Sequence, residues 1–190
     1  DAISLVLGTE RRGVDIPNLQ PNFETNVPGV FVAGELGGMG LIRNAVEQGR
    51  QAMESITKSV STTDSKAPFD VIIIGAGPAG FSATLYAHEH KLKYATIEQE
   101  TLGGAVAHYP RGKIVMTAPL KLPIIGQVKL GEINKEVLMN FWRDAEQKSG
   151  IRINSKERMD KIERVDDGYI ITTQKAAYHT KTVLLAIGRR

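Results

Sequence analysis

The run "FDVIIIGAGPAGFSATLYA", residues 69–87, leaves this chain little conformational choice. Val71, Ile72, Ile73 and Ile74 are stiff, β-branched and apolar on both alternating faces, which predicts a strand buried on both sides of a parallel sheet. The strand ends at Gly75, and Gly75, Gly77 and Gly80 stand in G-x-G-x-x-G spacing ahead of a segment of helix formers. Gly75 permits a tight turn, Gly77 lets backbone N–H groups approach a pyrophosphate with no Cβ in the way, and Gly80 lets the helix pack closely on the strand. The helix opening at Pro78 offers orphan N–H donors and the positive end of its dipole to phosphates. Gly75, Gly77, Pro78, Ala79 and Gly80 are therefore expected cofactor-binding positions.

A glycine triplet alone is a weak signal, but "KYATIEQE" reads as the next strand and ends in Glu98, 18 residues after Gly80. A carboxylate at that spacing is expected to hydrogen-bond the hydroxyls of an adenosine ribose, and its charge repels a 2′-phosphate. Strand, glycines, helix and acid in that order predict binding of an adenine dinucleotide with unphosphorylated ribose.

The rest of the chain bounds this reading. Its 190 residues are 42% hydrophobic and 24% charged, enough for one good core or two small ones. With 24 basic and 21 acidic residues interspersed, no block of like charge marks a nucleic-acid or membrane footprint. There is no cysteine, so no local disulfide, thiolate metal site or redox-active Cys pair. No apolar run approaches the ~18 residues of a membrane span, and the chain opens on neither a signal peptide nor an initiator methionine. A cytoplasmic segment without a membrane or nucleic-acid partner is expected. His88, His90 and His179 have no partners at metal-ligand spacing, so no metal is assigned.

Upstream of the glycine turn, "AISLVLG" (2–8) and "GVFVAGE" (29–35) are short β-rich runs. Leu41, Ile42, Ala45, Val46, Ala52, Met53 and Ile56 recur as one face of an amphipathic helix. The polar stretch Thr57 to Pro68 reads as a connection, giving the boundaries 1–58, a linker over 59–68, and 69–190. Its twelve residues span up to ~40 Å when extended. Downstream, a glycine-containing loop is expected from Leu102 to about Met116 and a helix near Lys135 to Lys148, with Val137, Leu138, Phe141, Trp142 and Ala145 on a core-facing stripe. The tail alternates as strand, Asp-Asp-Gly turn, strand, turn, strand. The expected fold class is α/β: a Rossmann-like three-layer domain with a central parallel sheet, an antiparallel β-meander and flanking helices.

"ETNVPGVFVAGELGGMGLIRNAVEQGRQAMESI" resembles the C-terminal flavin segment of the thioredoxin reductase-like pyridine nucleotide oxidoreductases. Thr25, Pro28, Gly29, Ala33 and Gly34 match, and Glu35 stands where that family usually has Asp. "VIIIGAGPAG", "IEQETLGG" and the closing "VLLAIGRR" are similar to the first half of such a flavin domain. The order is reversed: what usually comes last comes first, and the chain ends where the family crosses into its nicotinamide-binding half. A cut across two fused modules and a circularly permuted flavin domain both explain this. In either case the strand Val30 to Ala33 is expected in the sheet with Val71 to Ile74, completing one FAD-binding domain. If the halves belonged to separate sites, each would expose apolar strand edges and seek a second copy.

The resemblance implies FAD as cofactor and NAD(P)H as electron donor, through a nicotinamide domain elsewhere in the protein, with an unknown acceptor and a possible homodimer. It implies that Gly34 and Glu35 face the ribityl or diphosphate region. Gly40, Leu41 and Ile42 would bring a helix N-terminus to the flavin's pyrimidine end, where a partial positive charge favours an anionic reduced flavin. Gly103 and Gly104 would let a loop pass close to the cofactor, with His108, Tyr109, Arg111 and Lys113 as further possible contacts. No catalytic side chain is assigned, since in such enzymes the isoalloxazine performs the electron chemistry. A non-catalytic FAD or adenine-nucleotide binding module, and a plain NAD-binding dehydrogenase domain, are the competing readings. The meander and "FVAGE" argue against the latter.

Overall fold

The structure is a computed structural model and describes residues 4–5, 22–34, 42–100, 113–116, 120–128 and 131–186. Within these, β1 (Ser4–Leu5), β2 (Val30–Val32) and α1 (Ile42–Thr62) precede the glycine-turn unit, β3 (Phe69–Ile74), α2 (Pro78–Glu89) and β4 (Tyr94–Ile97). Four short strands follow, β5 (Lys113–Met116), β6 (Leu120–Leu122), β7 (Gly126–Val128) and β8 (Gly131–Asn134), then α3 (Lys135–Ser149), β9 (Ile153–Asn154), β10 (Met159–Val165), β11 (Gly168–Thr173) and β12 (Ala177–Leu185).

The β-branched run fixes the centre. β3 lies between β12 and β4, parallel to both, and Val71 to Ile74 are buried. With period-two alternation, Val71 and Ile73 face one side and Ile72 and Ile74 the other. Val71 and Ile73 pack under the helices, with Ala45, Ala52, Met53 and Ile56 of α1 and Ala79, Ala83 and Ala87 of α2. Ile72 and Ile74 pack with Ile162, Tyr169 and Ile171 of the meander. These are the three layers expected from the sequence: helices, parallel sheet, β-meander.

β12 joins the layers. Its first half pairs antiparallel with β11, and its second half pairs parallel with β2, Val183 opposite Val30 and Leu185 opposite Val32. The strand of the N-terminal segment is thereby in one sheet with the strand of the glycine turn, separated from it by β12. The turn before β2 explains its residue types. Thr25 is buried with its hydroxyl on the Val27 backbone, Gly29 has φ +86°, and the Tyr169 hydroxyl donates to the Pro28 carbonyl.

From Pro78 to Ala87 every residue of α2 is buried, as a helix apolar all round must be. α1 covers one side of it through Ile42, Ala45, Val46, Gly49, Ala52, Met53 and Ile56. α3 covers another, with Trp142 tilted against Phe81 at 4.7 Å between ring centroids and Leu138 and Ala145 in the same cluster. Trp142 is core, as its spacing suggests.

The connection differs from the expected linker. α1 continues through 59–62 to Thr62, its hydroxyls at Thr57, Ser61 and Thr62 satisfied by carbonyls three or four residues earlier. Val60 also packs on the helix core. The remaining residues, 63–67, are fastened: Ser65 Oγ donates to the Asp167 carbonyl, Lys66 N–H to both Asp167 carboxylate oxygens at 3.1 and 3.0 Å, and Ala67 is buried. Strand β5 lies at the end of the stretch expected as loop, and β6, β7 and β8 fall in residues to which the sequence assigned no element; β5 pairs with β8 and β6 with β7. Among the described residues no helix is long and apolar enough to cross a membrane.

Candidate functional site

The carboxyl ends of β2, β12, β3 and β4 come side by side, the edge at which open α/β sheets bind ligands. Ala33 N–H donates to the Leu185 carbonyl, Ala186 N–H to Ile74, and Gly75 N–H to Ile97. Gly75 then turns the chain at φ +106°, in the left-handed region that favours glycine.

Gly77 is the N-cap of α2 and is extended, at φ −69° and ψ −171°; no side chain caps the helix. Pro78 at the first helical position has no N–H to lose, which leaves the N–H groups of Ala79 and Gly80 for an external acceptor. A Cβ on Gly80 would lie 1.8 Å from the Gly75 carbonyl oxygen, so the third glycine is required by the contact between helix and turn.

Glu98 closes this cradle from β4. It is buried, at 5% exposure, and its two oxygens accept from Ala76 N–H at 3.0 Å and Glu100 N–H at 2.7 Å. Each carboxylate oxygen retains a second acceptor position for a sugar hydroxyl. The acid therefore also pins the glycine turn, a bond that spacing alone could not reveal.

The N-terminal segment meets the cradle at Ala79. Gly34, at φ +123°, lies against it, a Cβ there being 3.7 Å from the Ala79 Cβ, and the Gly34 N–H donates to Gln48 Oε1 at 3.0 Å. On α1, a Cβ at Gly49 would lie 2.2 Å from the Ala79 carbonyl oxygen, and Ser82 Oγ of α2 donates to the Val46 carbonyl at 2.8 Å. Gly49, Gln48 and Ser82 were not anticipated. A glycine inside the apolar stripe of a helix, where it costs about 1 kcal/mol relative to Ala, was the available signal. Ile42 opens α1 and is buried in one cluster with Ala76, Phe81 and Trp142. Glu35, Gly40, Leu41, Gly103 and Gly104 lie outside the described residues, as do His108, Tyr109 and Arg111.

A second polar cluster also went unanticipated. Glu157, 4% exposed, accepts from Thr173 Oγ1 at 2.9 Å and from the Tyr178 hydroxyl at 2.6 Å. Burial, and then the Glu157 carboxylate, push the Tyr178 phenol up to about 12. Among the described residues no group of three or more His, Cys, Asp or Glu side chains could hold a metal.

A mostly parallel sheet under helices, with a glycine turn, an uncapped helix N-terminus and a buried acid at its carboxyl edge, defines a Rossmann-type dinucleotide-binding domain. Residues 72–189 match the family described as pyridine nucleotide-disulphide oxidoreductase, and the chain belongs to that family. It is similar to a ferredoxin–NADP reductase of Streptococcus sanguinis, 31% identical over 122 residues, which cover 63% of this chain and 35% of that protein. It is also similar to a thioredoxin reductase of Peptoclostridium acidaminophilum, 35% identical over 129 residues, covering 63% and 34%. The chain thus spans about a third of the length of these curated relatives. Among solved structures, the bacillithiol disulfide reductase Bdr (YpdA) from Bacillus cereus shares the fold, with a TM-score of 0.52 and 20% identity over 60% of this chain and 38% of that one. The match agrees with the resemblance to thioredoxin reductase-like pyridine nucleotide oxidoreductases read from the sequence.

Proposed function

We propose that this chain is the FAD-binding module of an NAD(P)H-dependent oxidoreductase, with the flavin nucleotide bound across both segments at the carboxyl edge of the sheet. The carrying observation is the junction at Ala79, where Gly34 and Gly49 of one segment close on the first turn of the phosphate-facing helix of the other. The residues present fit an adenine dinucleotide: a turn that excludes a Cβ at Gly80, an uncapped helix N-terminus, and a fixed buried carboxylate.

In this reading the Ala79 and Gly80 N–H groups hold the pyrophosphate, and Glu98 accepts from the ribose hydroxyls while keeping the Gly75–Gly77 turn in place. Glu35, Gly40, Leu41, Ile42, Gly103 and Gly104 are proposed to line the flavin half. Bound flavin would supply the hydride and electron chemistry, and the chain supplies binding and orientation. A nicotinamide-binding domain elsewhere in the protein would deliver NAD(P)H to it, and the acceptor would be a separate group, because the chain has no cysteine of its own to reduce.

The test is calorimetric titration of the chain with FAD, FMN and NAD. FAD binding at least about a hundredfold tighter than either of the others, roughly 2.7 kcal/mol, is expected because only FAD engages both halves. Preference for NAD over FAD would replace this reading with a nicotinamide domain.

A further inference from the structure

The carboxylate of Glu98 sits just past the last paired residue of β4, so something outside that strand must hold it. Residues 154–157 do so. Glu98 N–H donates to the Asn154 carbonyl at 2.9 Å, Glu157 N–H to the Glu98 carbonyl at 2.9 Å, and Lys156 N–H to the Glu100 carbonyl at 2.7 Å. This seat is a turn with Lys156 at φ +55°, an unfavourable conformation for a non-glycine residue that its surroundings must enforce.

The enforcement comes from the meander. Glu157 Oε2 accepts from Thr173 and Tyr178, Asn154 Nδ2 reaches the Tyr178 hydroxyl at 3.4 Å, and Gln174 bridges the Lys156 carbonyl and the Arg158 N–H. No cation among the described residues pairs with Glu157. Burying a carboxylate against hydroxyls alone costs desolvation that an apolar residue of similar size would not incur. What the acid gains is direction: two hydroxyls from two strands converge on one oxygen and lock the turn that carries Glu98.

We infer that Glu157 is a positioning residue for Glu98, acting through the 154–157 turn to hold the ribose-binding carboxylate against the glycine turn. Nucleotide affinity, and discrimination against a 2′-phosphate, then depend on a side chain that touches no ligand. The inference rests on the reading of Glu98 as the ribose acceptor.

The experiment measures binding of ADP and of 2′-phospho-ADP to the whole chain and to four variants. Glu157→Ala should weaken ADP about tenfold, as loss of a hydrogen-bonded charge does, and erode the preference for ADP over 2′-phospho-ADP by a similar factor. Glu157→Gln, which keeps an acceptor oxygen, should restore most of that preference. Should Glu157→Ala fail to fold, Tyr178→Phe removes one of the two donors and should still lower the preference. An unchanged preference in a folded Glu157→Ala, or in Tyr178→Phe where Glu157→Ala does not fold, overturns the inference. Glu98→Gln separates the two claims. If it leaves the preference intact, the ribose reading itself fails and the inference with it. If it abolishes the preference while Glu157→Ala does not, positioning alone is refuted.

Discussion

Replacing Gly49 by Ala sets two effects of known size against each other. Gly49 lies in the middle of the 21-residue helix α1, where Ala is favoured over Gly by about 1 kcal/mol and also restricts the unfolded chain. On an unpartnered helix the variant would be more stable. In this fold the new Cβ would lie 2.2 Å from the Ala79 carbonyl oxygen, 3.0 Å from its carbonyl carbon and 3.1 Å from its Cα, all backbone atoms of a buried helix. Relief requires α1 and α2 to separate by about 1 Å, straining the Ser82–Val46 hydrogen bond and loosening Met53 and Ile56 from the core. Overpacking of this kind costs about 1–3 kcal/mol, and with backbone on the far side the upper part of that range applies. The net expectation is a loss of about 1–2 kcal/mol, or roughly 2–8 °C in Tm for a chain of this size. Thermal unfolding followed by circular dichroism reads it directly. FAD affinity should fall with it, because Ala79 belongs to the turn proposed to face the pyrophosphate. A Tm above that of the parent chain would mean that helix propensity wins, and would refute the close packing of the two segments.

Two further outcomes follow from single contacts. Asp167→Ala removes both carboxylate acceptors of Lys66 N–H, at a cost of about 1 kcal/mol, and should speed tryptic cleavage after the exposed Lys66; an unchanged rate would show that the connection is not fastened there. Because the Tyr178 phenol is raised from 10.0 to about 12, the folded state holds a proton that the unfolded state releases in between. Its contribution to stability is therefore complete below pH about 10 and is lost as pH rises toward about 12. Tyr178→Phe should flatten the decline in stability between pH ~10 and ~12, measured by denaturant unfolding, and an identical slope would contradict the assignment.

Much of this architecture is written in local sequence. Four consecutive β-branched residues and three spaced glycines specify β3, the turn and α2, and the stripe from Ile42 to Ile56 specifies the buried face of α1. The Asp-Asp-Gly turn placed β10 and β11. What escaped had no period to betray it. The strands β5 to β8 are three or four residues long, too short for an alternation to register. The Ser and Thr residues from Thr57 on look like a linker, yet the helix runs on to Thr62 with their hydroxyls bonded to its carbonyls and Val60 packed on its core. The grip of Glu157 depends on Thr173 and Tyr178, brought to it by the pairing of β11 with β12, a nonlocal arrangement that no spacing in the chain encodes. At the site, Gly75, Gly77, Pro78, Ala79, Gly80, Glu98 and Gly34 all gather at one edge of the sheet. The second attachment of Glu98, to Ala76 N–H, emerges only once strand and turn are folded together.

The most direct test of the account is the flavin content of the purified chain after incubation with FAD and removal of free cofactor on a desalting column, read from its absorption spectrum. Stoichiometric retained flavin is the predicted result, because in the proposed reading the segment that ends in α1 and the segment that begins with β3 build one site. A chain that circular dichroism shows to be folded but that leaves the column colourless would contradict it.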